Sequence, residues 1–343
     1  MLLARKNTKG LFLCFLIAIP AWFLGMLAPI IGAPVIAILL GMVVTKLIKD
    51  KTPYVSGIQF TSKKILHYAI ILLGFGLNLS VVFETGKQSL PIIISTITTS
   101  LIVAYFLAKA MNIPGKISTL IGIGSSICGG SAIAAAAPCI DADDNEIARA
   151  ISVIFFFNLL AALFFPAFGD FLGFSHSSGQ AFGIFAGTAI NDTSSVTAAA
   201  STWDSMFQLG SSTLDKAVTV KLTRTLAIIP ITIGLAFYTS HQEKKHSGKK
   251  INWIKIFPMF ILYFILASII TTIATNNGIA TSFFMPLKIL SKFLIVLAMA
   301  AIGFNTDIVE LVKKSGRFLL LGLSCWIGIT IVSLALQKYL GIW

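Results

Sequence analysis

Stretches of apolar residues alternate with short polar connectors along almost the whole chain. Eleven such stretches can be drawn, at about 11–28, 33–48, 65–83, 89–108, 117–139, 150–168, 180–201, 216–239, 254–274, 285–308 and 318–338. Residues 11–45, 88–108, 117–140 and 256–287 contain no Asp, Glu, Lys or Arg. Uncharged runs of that length are kept from water by a bilayer, which about 20 apolar residues cross as a helix. Backbone groups in lipid must be satisfied within the segment, so the pattern predicts helices. The expected fold class is an all-α polytopic membrane protein with about 11 transmembrane helices, forming one integral membrane domain over residues 1–343.

Composition rules out the soluble alternative. Charged residues make up 11% of the 343 and hydrophobic ones 56%, against roughly 25% charged in soluble domains. The net charge of +13 would suggest a nucleic-acid partner in a soluble protein, but no basic stretch here is interleaved with aromatics that could stack on bases. The basic residues instead follow the sidedness of membrane insertion. With the N-terminus inside, the inner connectors 1–10, 46–64, 109–116, 240–253 and 309–317 are basic and 169–179 is neutral; the outer connectors each carry about one basic residue. This predicts a cell inner (plasma) membrane protein with a cytoplasmic N-terminus and an external C-terminus. It puts the acidic run 141–146 outside and 240–253 inside. Arg5, Lys6 and Lys9 precede an apolar run as in a signal peptide, but no A-x-A site follows, so an uncleaved first helix is expected. Cys14, Cys128, Cys139 and Cys325 form no CxxC and are read as reduced, small hydrophobes.

Two internal likenesses bear on architecture. Leu73–Ser80 resembles Ile302–Ile308, and those two segments run in opposite directions under this topology, as inverted repeats do. Gly124–Ala137 matches Gly187–Ala200 at a constant offset of 63. Those two segments would run parallel, so either one of them is re-entrant or the likeness is one of small-residue composition.

Candidate chemistry gathers in the same two segments. Ser125, Ser126, Cys128, Gly129, Gly130 and Ser131 make a poor membrane helix, because paired glycines and serines favour unwinding. Such breaks are tolerated where they face protein or a wet cavity; the bland reading is a small-residue packing face. Asn191, Asp192, Thr193, Ser194 and Ser195 form a second polar break, with Asp192 an ionisable group inside an apolar span. An Asp there costs about 2.5–3.5 kcal/mol on insertion scales, so Asp192 is a candidate coupling-ion or proton site, or half of a structural ion pair. Lys221 and Arg224 share one face of segment eight and offer a point charge and a planar fork for an oxyanion, or else they snorkel to an interface. The three charges are expected to form one network. Asp141, Asp143 and Asn145 lack the rest of a calcium loop, His241 and His246 sit in a basic loop, and no nucleophile–base pair converges. No metal, no cofactor and no enzymatic activity are expected.

At these residues the chain resembles a known family, the YeiH-type bacterial inner-membrane proteins proposed to export sulfate. The likeness rests on Gly122-Ile-Gly-Ser-Ser-Ile-Cys-Gly-Gly-Ser-Ala132, on Lys221-Leu-Thr-Arg224 before Pro230, and on Ala298-Met-Ala-Ala-Ile-Gly303 with Lys313, Lys314 and Gly316. The resemblance implies a multi-pass anion exporter with an inverted-repeat transporter fold containing two discontinuous helices. Asn191 stands where the family carries a histidine beside the acid, Gly76 where an arginine often occurs, and Ala137 in place of an acid before Pro138, so the cargo stays open. The function expected is secondary active transport of a small anionic solute such as sulfate or a sulfonate, by alternating access. The alternatives are a Na+/H+-coupled carrier of another solute and a channel or membrane sensor. The partners expected are that solute, the lipid bilayer and further copies of the chain, with no nucleic acid.

Overall fold

The structure, a computed structural model, describes residues 2–28, 32–48, 50–75, 79–228, 230–231, 234–235, 259–306 and 316–343. Gly76, the loop 240–253, Lys313 and Lys314 lie outside the described residues, as do parts of the like segments 73–80 and 302–308. Every regular element among the described residues is helical. The chain runs through α1 (Leu2–Leu27), α2 (Ala33–Leu47) and α3 (Thr52–Phe60), which continues through a π turn at Thr61–Ile65 into α4 (Leu66–Gly74). Next come α5 (Leu79–Ala110), α6 (Gly115–Ser126), α7 (Gly130–Ala136) with a 3-10 turn at Ala137–Ile140, and α8 (Asp144–Phe171). Then follow α9 (Gln180–Ala189), α10 (Thr193–Phe207), α11 (Ser212–Thr225), α12 (Met259–Asn276), α13 (Met285–Phe304) and α14 (Arg317–Tyr339). Among the described residues six helices, α1, α5, α8, α12, α13 and α14, are long and apolar enough to cross a membrane.

Local chemistry sets several of these boundaries. Asp143 and Glu146 form a reciprocal capping box at the start of α8, which satisfies two otherwise orphaned amides. Gly32, at φ 77°, turns the chain into α2 with Pro34 in the first turn, where a missing N–H costs nothing.

The helices fall into two groups. In the first, α13 packs on α1, α2 and α4, and α12 packs on α4. In the second, α14 packs on α5 and α9, α11 on α9, and α6 on α5 and α8. The groups meet mainly where α10 lies against α2 and α13.

Contacts at the helix termini define two ends of the bundle. At the end holding the start of α1, Gly10 abuts the backbone of Tyr54 and Gly57, and Arg149 at the start of α8 lies 5.8 Å from the Phe318 ring of α14. At the far end, Leu79 N–H donates to Thr272, Lys216 to Thr85 and Trp343 to the Gly173 carbonyl.

This geometry corrects the eleven-span reading at two segments. The run 117–139 leaves from the N-terminal end and returns to it, since Lys116 Nζ donates to the Asp141 carbonyl at 2.6 Å. The run 180–201 likewise begins and ends at the far end. Phe182 stacks on Trp203 at 4.2 Å, His176 on Phe207 at 4.0 Å, and Gly179 abuts Thr213. Each run is a helical hairpin reversing near the middle of the bundle: α6–α7 from one end and α9–α10 from the other. The physical reason is length, because the 12 residues of α6 and the 10 of α9 rise about 18 and 15 Å, half a bilayer. The acidic run 141–146 therefore sits at the N-terminal end, opposite to where the charge pattern put it.

Candidate functional site

The two hairpin tips meet beside α11. The first is turned by Ile127 (φ −121°, ψ −94°) and by Gly129 at φ 69°, ψ −127°, a conformation that a side chain would strain. The second is turned by extended residues at Ile190 and Asp192. Its carboxylate caps α10, accepting the Ser194 N–H at 3.0 Å and also the Ser194 hydroxyl, an N-cap by an anion at the positive helix end.

Reversal leaves the last carbonyls of α6 and α9 without helical partners. Lys221 and Arg224, each 0% exposed, supply them. Lys221 Nζ donates to the carbonyls of Ile127 at 2.5 Å and Ile190 at 3.0 Å. Arg224 donates through Nε to Ser126 at 2.7 Å and through its two terminal nitrogens to Thr188 at 2.6 Å and Ser125 at 2.9 Å. The two basic groups thus face two converging negative helix ends, which offsets the cost of burying them. Both retain donor capacity beyond these bonds.

The partners also explain the offset of 63. Lys221 binds residues 127 and 190, and Arg224 binds 125 and 188, so each cation grips the same position in both hairpins. The like segments Gly124–Ala137 and Gly187–Ala200 thus present equivalent carbonyls to the same two side chains, from hairpins that start at opposite ends of the bundle.

The structure brings most of the expected residues to the tips, with different roles. Ser126 turns its hydroxyl back to Ile123, Cys128 is buried, and Gly130 is half-buried opposite Phe155. Ser194 serves Asp192, and Thr193 is half-buried beside the buried Ser195. Ser131 is exposed on α7. The Ser125 hydroxyl and both polar atoms of the Asn191 amide are buried without a hydrogen-bond partner among the described residues, a costly arrangement unless a ligand or water completes it. The three charges are joined by no direct hydrogen bond among the described residues: Lys221 and Arg224 bind backbone carbonyls and Asp192 binds the start of α10, while Asp192 and Lys221 interact electrostatically through space. No cluster of His, Cys, Asp or Glu that could hold a metal occurs among the described residues.

Sequence reasoning missed Asn158. Its amide oxygen, on α8, accepts the backbone N–H of Asn191 at 3.1 Å and of Asp192 at 3.2 Å. It stands 63 residues before Lys221, on the helix that follows the first hairpin as α11 follows the second. Extending the repeat past position 137 would have found it. Thr188 and Ser333, whose hydroxyls lie 2.7 Å apart, were also missed; they tie the second hairpin to α14.

A family model described as "Conserved hypothetical protein 698" matches residues 9–322. The chain belongs to this family. Among its relatives, a "UPF0324 membrane protein" of Streptococcus mutans is 58% identical over 346 residues, covering 100% of both chains. One from Streptococcus agalactiae is 55% identical over 342 residues, again 100% of both, and one from Fusobacterium nucleatum is 56% identical over 349 residues, 98% of this chain and 99% of its own. The protein is accordingly a multi-pass membrane protein of the UPF0324 family, in agreement with its apolar helices.

Proposed function

We propose that the protein is a secondary active transporter of a small anionic solute in the bacterial inner membrane, working by alternating access around the two hairpin tips. The observation that carries this reading is the meeting of two inverted, re-entrant hairpins at one pair of buried cations. Irregular backbone at membrane depth is characteristic of transporter binding sites, with half-helix ends directed at the cargo. An anion is favoured because Lys221 and Arg224 keep donors beyond their carbonyl partners, and because the Ser125 hydroxyl and the Asn191 amide can donate to it. Sulfate or a sulfonate, the cargo class of the resembling exporters, fits a guanidinium fork.

In this reading nine passes and two re-entrant hairpins replace eleven passes. The charge rule is then obeyed better. The neutral connector 169–179 moves to the outer face and Arg149 joins Lys109 and Lys116 on the cytoplasmic one, leaving the N-terminus inside and the C-terminus outside. Asp192, half-buried at a tip, favours a coupled carrier over a channel, since a proton or Na+ there would weaken its hold on α10 and change the charge facing the cargo.

Purified protein in proteoliposomes loaded with sulfate is expected to show saturable uptake of labelled sulfate and accelerated exchange. Asp192→Asn should retain cargo binding and flatten the pH or Na+ dependence. Absence of counterflow for sulfate and for a panel of small sulfonates and carboxylates overturns the anion reading.

A further inference from the structure

The two hairpins are equivalent in sequence and unequal in surroundings. Residues 194–200 and 202–204 of α10 are all buried, and α10 packs against α2 and α13 of the other helix group. Its approach is close: a Cβ on Gly32 would lie 2.8 Å from Thr202 Oγ1. On α7, by contrast, Ser131 and Ala134 are exposed, and the helix packs on α6, α8 and the turn that follows it. The second hairpin is thus enclosed by the other helix group, while the first keeps exposed residues on α7.

The second hairpin is bound closely to α11. Asp204, near the end of α10, accepts the N–H of Thr213 and of Leu214 at 2.9 Å each, and Gly179 before α9 and Gly183 and Gly187 within it lie directly on α11. The seam is therefore between this unit and α13. Two lysines of α13 cross it. Lys288 pairs with Asp215 of α11 at 2.9 Å, the side chains being 18% and 13% exposed, and Lys292 donates to the Gly210 carbonyl in the α10–α11 turn at 2.5 Å. Ser211 donates to the same carboxylate oxygen of Asp215.

We propose that Asp215, Lys288 and Lys292 form a latch that closes the far end of the pathway, and that it opens when the hairpins exchange surroundings, α10 leaving α2 and α13 while α7 docks on the other group. This rests on the transport reading. The latch belongs to one repeat only: at the offset of 63, Ser152 of α8 stands where Asp215 stands on α11, so the two ends are held by different forces. A partly desolvated ion pair holds the far end, and its loss biases a two-state element rather than unfolding it.

The test uses purified full-length protein in detergent, which makes both ends accessible. Thr202→Cys places a thiol at the closed seam, where Thr202 is 2% exposed, and its modification by a maleimide is followed by peptide mass spectrometry. Labelling is expected to be slow with the latch intact and at least about fivefold faster with Lys288→Gln and Lys292→Gln together. Exchanging the charges, Asp215→Lys with Lys288→Asp, should restore slow labelling, which a merely destabilised protein would not do. Equal rates with and without the lysines, or fast labelling in the charge-exchanged protein, overturn the latch. Sulfate counterflow is measured separately. A latch effect without any transported solute refutes the transport reading and leaves the latch standing.

Discussion

At the scale of single residues, the chemistry of the centre is that of charge placed against helix ends. Arg224 spans Ser125, Ser126 and Thr188, a geometry that needs a planar fork and that lysine cannot reproduce. Arg224→Lys keeps the charge and strands buried carbonyls, at a cost of about 3 kcal/mol; a fall in the thermal unfolding midpoint, together with weaker solute uptake, is the expected result. Asn158 is a subtler case, since only its oxygen holds the second tip. Asn158→Leu should destabilise by about 1–3 kcal/mol. Asn158→Asp, which keeps the acceptor, should recover hydrogen-exchange protection of the Asn191 and Asp192 amides. Equal exchange in both variants would mean that the contact contributes nothing.

At the scale of elements, the two tips solve one problem by different means. The first uses glycine, the second a capping carboxylate. Gly129→Ala forces a side chain into a backbone region that is essentially glycine's own, at of order 1–3 kcal/mol. Gly130→Ala should be nearly silent, because a Cβ there meets Phe155 at an ordinary 3.6 Å. Thermal unfolding of the two alanine variants side by side checks this, and equal losses would show that the first tip is not turned where described. The polar breaks were legible in the sequence because serine, glycine and asparagine stand out in an apolar run. Their geometry was not legible: a helix that kinks and continues and a helix that reverses share the same composition, and the deciding contacts, Lys116 to Asp141 and Phe182 to Trp203, join residues more than 20 apart.

At the scale of the whole molecule, the topology makes opposite predictions for two connectors. With re-entrant hairpins, Ala142 lies on the same side as the N-terminus and His176 on the other; with eleven passes the assignments are reversed. Impermeant thiol reagents applied to intact cells should label His176→Cys and spare Ala142→Cys. Labelling of the second alone would restore the eleven-pass topology.

What the sequence determined by itself was solvent and material. Long uncharged runs require a bilayer and helices, whereas the basic residues gave only an expected sidedness. A constant offset of 63 marked two equivalent segments, and their polar residues marked the place for chemistry. Hydropathy carries this information because it is local, a property of each segment regardless of its neighbours. Tertiary structure alone decided which segments cross and which return, and what Lys221 and Arg224 bind. Those outcomes depend on where unpaired backbone carbonyls end up in space. Folding back costs an apolar stretch its last helical hydrogen bonds, a loss that hydropathy does not register; packing and the two cations that close the tips offset it.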